Sequence, residues 1–363
     1  MLGSAPIRRW AASAAVTLGL AGIAAVSAGC GAASTPANDS SPQGHVAASC
    51  SNPYGFHDPS ATIGVSYAFL GNSWRETMEH DLTSAINQAQ SCHEIGNVDY
   101  EYAGTSTTQQ ISQIDDLILK HVNVILVDST STTGLNAVIA KATAAGIKVV
   151  NFDTPVTAPQ AYILNWNYVP FGEQLANYLV KEMNGKGNVL LVRGEAGTTI
   201  DSGEYQGWMD VLKKYPQIKV AGTVYGDWDE ATAQSAVSGI LSNLPPIKAV
   251  FINGGNYGVL QAFKSAGRPV PLMVGDNRGD FLQWWWQHRN TYQTFSYSTY
   301  PQTAVLALYV AQFLLKGTSV PHALWLSPLT ITTSTLPQYK STPAAAVADA
   351  HFSVQWVYKN LVK

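Results

Sequence analysis

From residue 62 onward, short apolar segments alternate with longer segments in which apolar residues recur at helical spacing. The apolar segments are rich in Val and Ile and nearly unbroken, which is typical of strands buried in a parallel sheet. The first series predicts strands at Thr62–Phe69, Asn97–Tyr102, Val122–Val127 and Ile147–Phe152, and helices at Ser73–Gln90, Thr107–Lys120 and Thr133–Ala145.

The same alternation then begins again. It predicts strands at Asn188–Val192, Val220–Tyr225, Lys248–Ile252 and Pro271–Val274, and helices at Ile200–Lys214, Glu230–Ser242, Asn256–Ser265 and Gly279–Arg289. Strands that alternate with helices in this way form parallel sheets covered on both faces. Two successive series therefore predict an α/β protein with two doubly wound parallel-sheet domains.

The junctions between strands and helices are where a binding site is expected, because open parallel sheets bind ligands beyond the carboxyl ends of their strands. These junctions are rich in Asn, Asp, Trp and Gly. They lie at Phe69–Trp74, Phe152–Pro155, Arg193–Ser202, Gly226–Asp229, Asn253–Asn256 and Gly275–Gly279. Two such sets facing one another would form a polar cleft walled by aromatic rings.

Composition narrows the class of ligand. Only 12% of the 363 residues are charged, the net charge is −3, and no Lys/Arg-rich block is present, so a nucleic-acid partner is not expected. Ten Trp and seventeen Tyr favour ring contacts with an uncharged ligand. The chain contains no G-x-S-x-G, P-loop or H-E-x-x-H motif and no paired Cys/His set. We therefore expect a binding protein rather than an enzyme, with no cofactor and no metal.

The beginning of the chain resembles an export signal. Arg8 and Arg9 precede a run of small and apolar residues, 10–29, that ends at Cys30. Residues 27–30 (SAGC) resemble a bacterial lipobox, in which the cysteine is acylated and becomes the mature N-terminus. We expect a signal peptide at 1–29 and an extracytoplasmic lipoprotein anchored to the cell membrane through Cys30. A retained membrane-spanning helix is the alternative.

Residues 30–54 are predicted to form the tether between this anchor and the folded part, because they are mostly small and polar and lack apolar periodicity. Cys50 precedes the first predicted strand and Cys92 precedes the second. If these strands are parallel neighbours, both cysteines lie at the same edge of the sheet. In an exported protein such a pair predicts a disulfide, with two buried free thiols as the alternative.

Four segments carry a family resemblance. They are Leu70–Trp74 (LGNSW), Val149–Asp153 (VVNFD), Gly194–Thr198 (GEAGT) and Val274–Asn277 (VGDN). Their order and spacing resemble those of the type I periplasmic solute-binding proteins, in particular the ribose- and galactose-type sugar receptors of ABC importers. The resemblance extends from residue 60 to about residue 335.

The resemblance implies two domains joined by three chain crossings, near Leu164–Asn167, Ser298–Pro301 and Leu324–Leu329. Domain one would comprise 55–162 plus 301–324, and domain two 163–300 plus 325–363 with the C-terminal tail. It also implies a monomer that captures a small neutral monosaccharide or sugar alcohol and delivers it to an ABC permease in the membrane. A signalling receptor of the same fold and a receptor for a non-sugar solute are the alternatives.

Twelve residues at or near these junctions are the candidate ligand contacts. They are Asn72, Trp74, Arg75, Asp153, Thr154, Ser202, Trp228, Asn253, Asn256, Asp276, Asn277 and Thr299. Trp74 and Trp228 would stack on a sugar ring, and Asp153 would accept hydrogen bonds from sugar hydroxyls.

Several of these assignments leave alternatives open. Trp74 and Trp228 would otherwise only pack in the wall, and Asp153 would otherwise cap the segment after Pro155. Arg75 would either bond sugar oxygens or pair with Glu79, four residues further along a helix. Asp276 and Asn277 share one loop, and one of them would cap the helix that begins near Gly279. Asn277 stands where the family usually has a second Asp, and Thr154 where an Arg commonly follows the first. Because of these departures, the resemblance does not identify ribose itself as the ligand.

Overall fold

A computed structural model describes Cys50 and residues 52–363. Its first lobe is built on a six-stranded sheet in the order β10-β5-β4-β3-β1-β2, and every neighbouring pair in it is parallel. The strands are β1 Ile63–Tyr67, β2 Val98–Tyr102, β3 Val124–Val127, β4 Lys148–Phe152, β5 Tyr162–Asn165 and β10 Ala323–Trp325.

Helices cover both faces of this sheet, as the predicted alternation requires. Leu82 and Ile86 of α1 pack with Leu306 of α9 on one face, and Leu117 of α2 packs with Ile139 of α3 on the other. These residues are buried because each helix places its apolar side toward the sheet. The helices are α1 Ser73–Ser91, α2 Thr107–Leu119, α3 Asn136–Ala144 and α9 Thr303–Leu315.

The second lobe has a parallel three-stranded sheet in the order β7-β6-β8. The predicted strand at 271–274 is reduced to single parallel bridges, which join Leu272 to β8 and Gly275 to β9, and β9 pairs antiparallel with β11. The strands are β6 Gly187–Arg193, β7 Ile218–Tyr225, β8 Ala249–Phe251, β9 Ser296–Ser298 and β11 Leu329–Ile331.

Two helical layers enclose this second sheet. Leu175 of α4 and Trp208 of α5 are buried on one face, and Val237 of α6, Phe263 of α7 and Trp285 of α8 on the other. The helices are α4 Tyr168–Glu182, α5 Thr199–Leu212, α6 Glu230–Leu241, α7 Asn256–Ser265 and α8 Gly279–His288.

The chain crosses between the lobes from β5 to α4, from β9 to α9 and from β10 to β11, because β5, α9 and β10 belong to the first lobe whereas α4, β9 and β11 belong to the second. Two predicted boundaries differ from the structure. The whole of β5 lies in the first sheet, so domain one extends through Asn165 rather than ending at 162.

The second difference concerns the C-terminal segment, which was predicted to belong with domain two. Ala348 lies in the core of the second lobe, but Val357, Leu361 and Val362 lie in the core of the first. The last helix, α10 (Val354–Val357), therefore packs on the first lobe. The chain makes a fourth crossing on the way to it.

Cys50 and Cys92 form the predicted disulfide, with their Cα atoms 5.3 Å apart. The parallel pairing of β1 with β2 brings the two segments to one edge of the sheet, as expected. Within the predicted tether, the Tyr54 ring contacts Phe313 of α9, so the folded part begins before residue 55.

The predicted signal peptide, Cys30 and most of the tether lie outside the described residues. Within the described part of the chain, no helix is both long enough and apolar enough to cross a membrane.

Candidate functional site

A cavity lies between the two lobes, beyond the carboxyl ends of their strands. The empty space between its walls is about 700 Å³, a figure that includes space open to solvent. The first lobe lines it with Asn72, Ser73, Trp74, Arg75 and Asp153. The second lobe lines it with Tyr168, Ile200, Glu204, Trp228, Asn253, Gly254, Asp276, Asn277, Arg278, Ser298 and Thr299, and the C-terminal segment adds Val347.

Arg75 organises the first-lobe wall. Its backbone N–H donates to Oδ1 of Asn72, which caps α1 and places the arginine in the first helical turn. Its guanidinium donates from Nη1 to Asp128 at 2.5 Å and from Nη2 to Asp153 at 2.6 Å. The predicted alternative, a pair with Glu79, is not formed, and Glu79 instead accepts from the Tyr102 hydroxyl.

The two carboxyl groups that face Arg75 are almost fully buried. Burial raises the pKa of Asp128 to about 7 against the opposing effect of Arg75, and it raises the pKa of Asp153 in the same sense. Three interacting groups that are largely buried depend on each other's charge, because any one of them left alone would be a buried unpaired ion.

Asp153 reaches the cavity through an unusual backbone conformation. Its φ is +58°, in the left-handed region that non-glycine residues seldom adopt. Buried amides hold the turn: Asn165 Nδ2 donates to the carbonyl of Asp153, and Asn151 Nδ2 donates to that of Thr154. Oδ2 of Asp153 accepts from Arg75, and the side chain lines the cavity.

Trp228 forms the aromatic wall of the second lobe. It follows β7 with φ at +56°, and Gly194 at the end of β6 lies directly against its ring. A Cβ at Gly194 would come within 2.2 Å of the indole, so only glycine leaves room for the ring at this place. This contact gives a physical reason for the first glycine of the GEAGT segment.

Glu204 is a buried acid in the wall of the cavity. It lies on the same face of α5 as Asp201, and its Oε1 accepts from Nδ2 of Asn253 at 2.7 Å. Burial raises the pKa of Glu204 to about 8, partly opposed by this hydrogen bond. At neutral pH the side chain is therefore mainly a neutral acid, which can donate a hydrogen bond as well as accept one.

The loop before α8 closes the cavity from the second lobe. Asp276 accepts from the backbone N–H groups of Asn256 and Arg278, and Asn277 donates to the carbonyls of Thr299 and Ala348. Neither side chain caps α8, whose N-cap is Arg278 without a side-chain bond. Both serve to shape the loop.

Direct hydrogen bonds join the lobes beside the cavity. The Arg278 guanidinium of the second lobe donates to the Ser73 hydroxyl at the start of α1. On the other side, the hydroxyls of Thr132 and Thr199 are hydrogen-bonded to each other. These contacts correspond to a closed arrangement of the two lobes.

The structure brings most of the predicted contacts into this cavity, but three lie elsewhere. Thr154 turns away and accepts from Arg75. Ser202 is exposed, and its hydroxyl bonds to backbone carbonyls of its own helix. Asn256 is fully buried and donates to the carbonyl of Val274, so it supports the loop instead of facing a ligand.

Several lining residues were not predicted. Tyr168 lines the cavity, and its Oη, like the Nε1 of the predicted Trp74, has no hydrogen-bond partner among the described residues. Glu204 could have been predicted from the sequence, because Asp201 and Glu204 place two acids on one side of the same predicted helix. Val347 could not have been, since nothing local connects it with the site.

The periplasmic binding protein domain family matches residues 63–319, and the chain belongs to this family. A solved ABC transporter solute-binding protein from Thermobispora bispora superposes with a TM-score of 0.77 at 33% identity, covering 82% of this chain and 94% of that one. The predicted fold class and family are confirmed.

Curated relatives match over shorter stretches. A xylitol-binding protein of Mycolicibacterium smegmatis is 29% identical over 185 residues, which are 50% of this chain and 53% of the relative. The D-allose-binding periplasmic protein of Escherichia coli is 26% identical over 177 residues, 46% of this chain and 57% of the relative. The chain thus spans about half the length of these relatives, all of which are binding proteins by name.

Proposed function

We propose that this protein captures a monosaccharide or sugar alcohol between its two lobes and delivers it to an ABC transporter. The observation that carries the proposal is a cavity to which both lobes contribute aromatic rings and hydrogen-bonding groups. Rings suit the C–H faces of a sugar, and the polar groups suit its hydroxyls. The names of the xylitol- and D-allose-binding relatives, and the transporter named for the solved structure, support the same assignment.

The charges around the cavity favour a neutral solute. Arg75 is paired with Asp128 and Asp153, and Arg278 lies within 4 Å of Glu230 and Asp280. Each of the two arginines that line the cavity therefore already has two carboxyl groups beside it among the described residues. An amino acid would need a free cation for its carboxylate and a free anion for its ammonium group. A polyol needs neither.

Binding is expected to stabilise the closed arrangement, because a solute held by both lobes contacts Asp153 and Trp228 together only when the cleft is shut. A ligand shifts a conformational equilibrium by its difference in affinity for the two states. The hydrogen bonds Ser73–Arg278 and Thr132–Thr199 add to this closure from the protein's side.

A thermal-shift screen of the purified protein tests the assignment. We expect xylitol, D-ribose, D-allose, D-galactose or myo-inositol to raise the melting temperature, with a stabilisation of about 2.7 kcal/mol at one hundred times the dissociation constant. Amino acids and nucleosides serve as the comparison panel. Stabilisation by members of that panel, with none from any sugar or polyol, would remove the proposed substrate class and leave the fold intact.

We further propose that Cys30 carries a lipid anchor that holds the protein, as a monomer, at the outer face of the cell membrane. The support is the apolar run that ends at this cysteine. In a host that processes lipoproteins, wild type should fractionate with membranes and Cys30→Ala should be soluble. Recovery of wild type in the soluble fraction would contradict the anchor.

A further inference from the structure

The fourth crossing passes directly over the candidate site. Residues 342–350, here called the C-terminal strap, lie beyond the family match, which ends at residue 319. Before the strap, Leu336 lies in the core of the second lobe, and after it Val357 lies in the core of the first. The strap therefore spans from one lobe to the other.

Backbone hydrogen bonds attach the strap to the site loop. Gly279 N–H donates to the carbonyl of Ala346 at 2.9 Å, and Ala348 N–H donates to that of Asn277 at 2.8 Å. The Asn277 side chain returns a bond to the carbonyl of Ala348 at 2.7 Å. One face of Asn277 is thus held by the strap, which fixes a loop whose other residues face the cavity.

Gly279 permits this attachment. A Cβ at this position would lie 2.0 Å from the carbonyl oxygen of Pro343 in the strap, which no side chain can occupy. Both atoms of this contact, the Cβ and the Pro343 carbonyl oxygen, are fixed by the backbone, so no side-chain rotamer could relieve the clash. The strap can therefore pack at this position only because residue 279 is glycine.

At its far end the strap is bound to the first lobe. Oδ2 of Asp349 accepts from the backbone N–H of Gln302 at 2.9 Å, next to the start of α9. Between the two attachments, Val347 forms an antiparallel bridge with Arg278 and lines the cavity with only 7% of its surface exposed. The strap thus places an apolar side chain among polar lining groups.

We propose that the strap forms a functional part of the binding-site wall. It positions the Asp276–Gly279 loop, and its Val347 side chain contributes to solute specificity. The inference rests on the proposed function for the identity of the solute. An apolar group at this wall favours a solute whose facing edge lacks a hydroxyl, because a hydroxyl buried there would lose its hydrogen bonds to water without replacement.

The specificity arm compares Val347→Thr with Val320→Thr. Thr has nearly the shape of Val but carries a hydroxyl, and Val320 is also 7% exposed yet lies in the first-lobe core. Dissociation constants are measured for xylitol, D-ribose, D-allose, D-galactose and myo-inositol. We expect Val347→Thr to change at least one of them fivefold or more and to alter their ratios, whereas Val320→Thr leaves the ratios unchanged. Wild-type ratios in Val347→Thr would overturn the role of Val347.

The positioning arm needs no solute. In Gly279→Ala, we expect amide hydrogens in 344–348 and 277–280 to exchange at least tenfold faster than in wild type, while those of the first-lobe sheet are unaffected. Unchanged exchange in both segments would overturn the proposal that the strap positions the loop.

If none of the five solutes binds wild type, the proposed function fails, but the exchange measurement still tests the positioning role. The Val347 comparison is then repeated with the amino acid or nucleoside that stabilises wild type.

Discussion

Replacing Arg75 by methionine is expected to lower the free energy of unfolding by about 3–5 kcal/mol at neutral pH, because removing one member of a buried ionic group leaves the others uncompensated. Asp128 is fully buried and Asp153 nearly so, and both accept hydrogen bonds from this one guanidinium. Urea unfolding of the unliganded protein measures the loss.

The loss should depend on pH in a defined sense. The pKa of Asp128 is raised to about 7, so between its unfolded value and pH 7 the folded state binds more protons, and stability falls as the pH rises. Without the positive charge of Arg75, this pKa rises further and the fall continues to higher pH. We therefore expect a larger deficit for Arg75→Met at pH 8 than at pH 5.

Arg289→Met is the matched control. The Arg289 guanidinium lies over the Trp286 ring and donates to the carbonyl of the same residue, away from the cavity. Its removal exposes no buried carboxylate, so the stability change should be under about 1 kcal/mol and the same at both pH values. A deficit in Arg75→Met no greater than that of the control would show that the Asp128–Arg75–Asp153 group does not stabilise the fold.

The alternation of strands and helices was enough to predict both lobes, because buried parallel strands leave a run of apolar residues that is hard to mistake. Elements without that contrast were missed. Nearly every residue of α9 is buried, so it has no polar side to mark a helical period. In α4, Pro170 and Gly172 lie within the first turns and resemble a loop, and β9 and β11 have only three residues each.

For the site, the sequence was enough to find residues that follow strands. It was not enough where the direction of a side chain decides whether that side chain lines the cavity. Thr154 is adjacent to Asp153 and both side chains accept from Arg75, yet only Asp153, which lies in a left-handed turn, lines the cavity. Ser202 lies two residues before Glu204 on α5, and helical geometry exposes the first while burying the second. Val347 depends on the path of a segment almost seventy residues away from the loop it contacts.

The second large effect is expected for Asp153→Ala, which should weaken solute binding about a hundredfold. The carboxylate of Asp153 lines the cavity from the first lobe, and hydrogen bonds to a charged group contribute about 1.5–3 kcal/mol each. Trp74→Ala should cost less, about 1–2 kcal/mol, since the ring contributes mainly apolar contact. Titration calorimetry with the solute that stabilises wild type in the screen measures both.

The variant Ser202→Ala tests whether Ser202 contacts the solute, as the sequence predicts, or lies outside the cavity, as in the structure. Ser202 was predicted to contact the ligand, but its hydroxyl lies outside the cavity, so binding should be unchanged. At a solute concentration of one hundred times the wild-type dissociation constant, wild type and Ser202→Ala should each gain about 2.7 kcal/mol, whereas a hundredfold weaker Asp153→Ala should gain only about 0.4 kcal/mol. Each variant is first melted without solute, so that lost binding is distinguished from lost folding. If Asp153→Ala retains the full stabilisation, the solute does not bind at Asp153. Loss in Ser202→Ala would instead show that the closed cleft described here differs from the one that holds the solute.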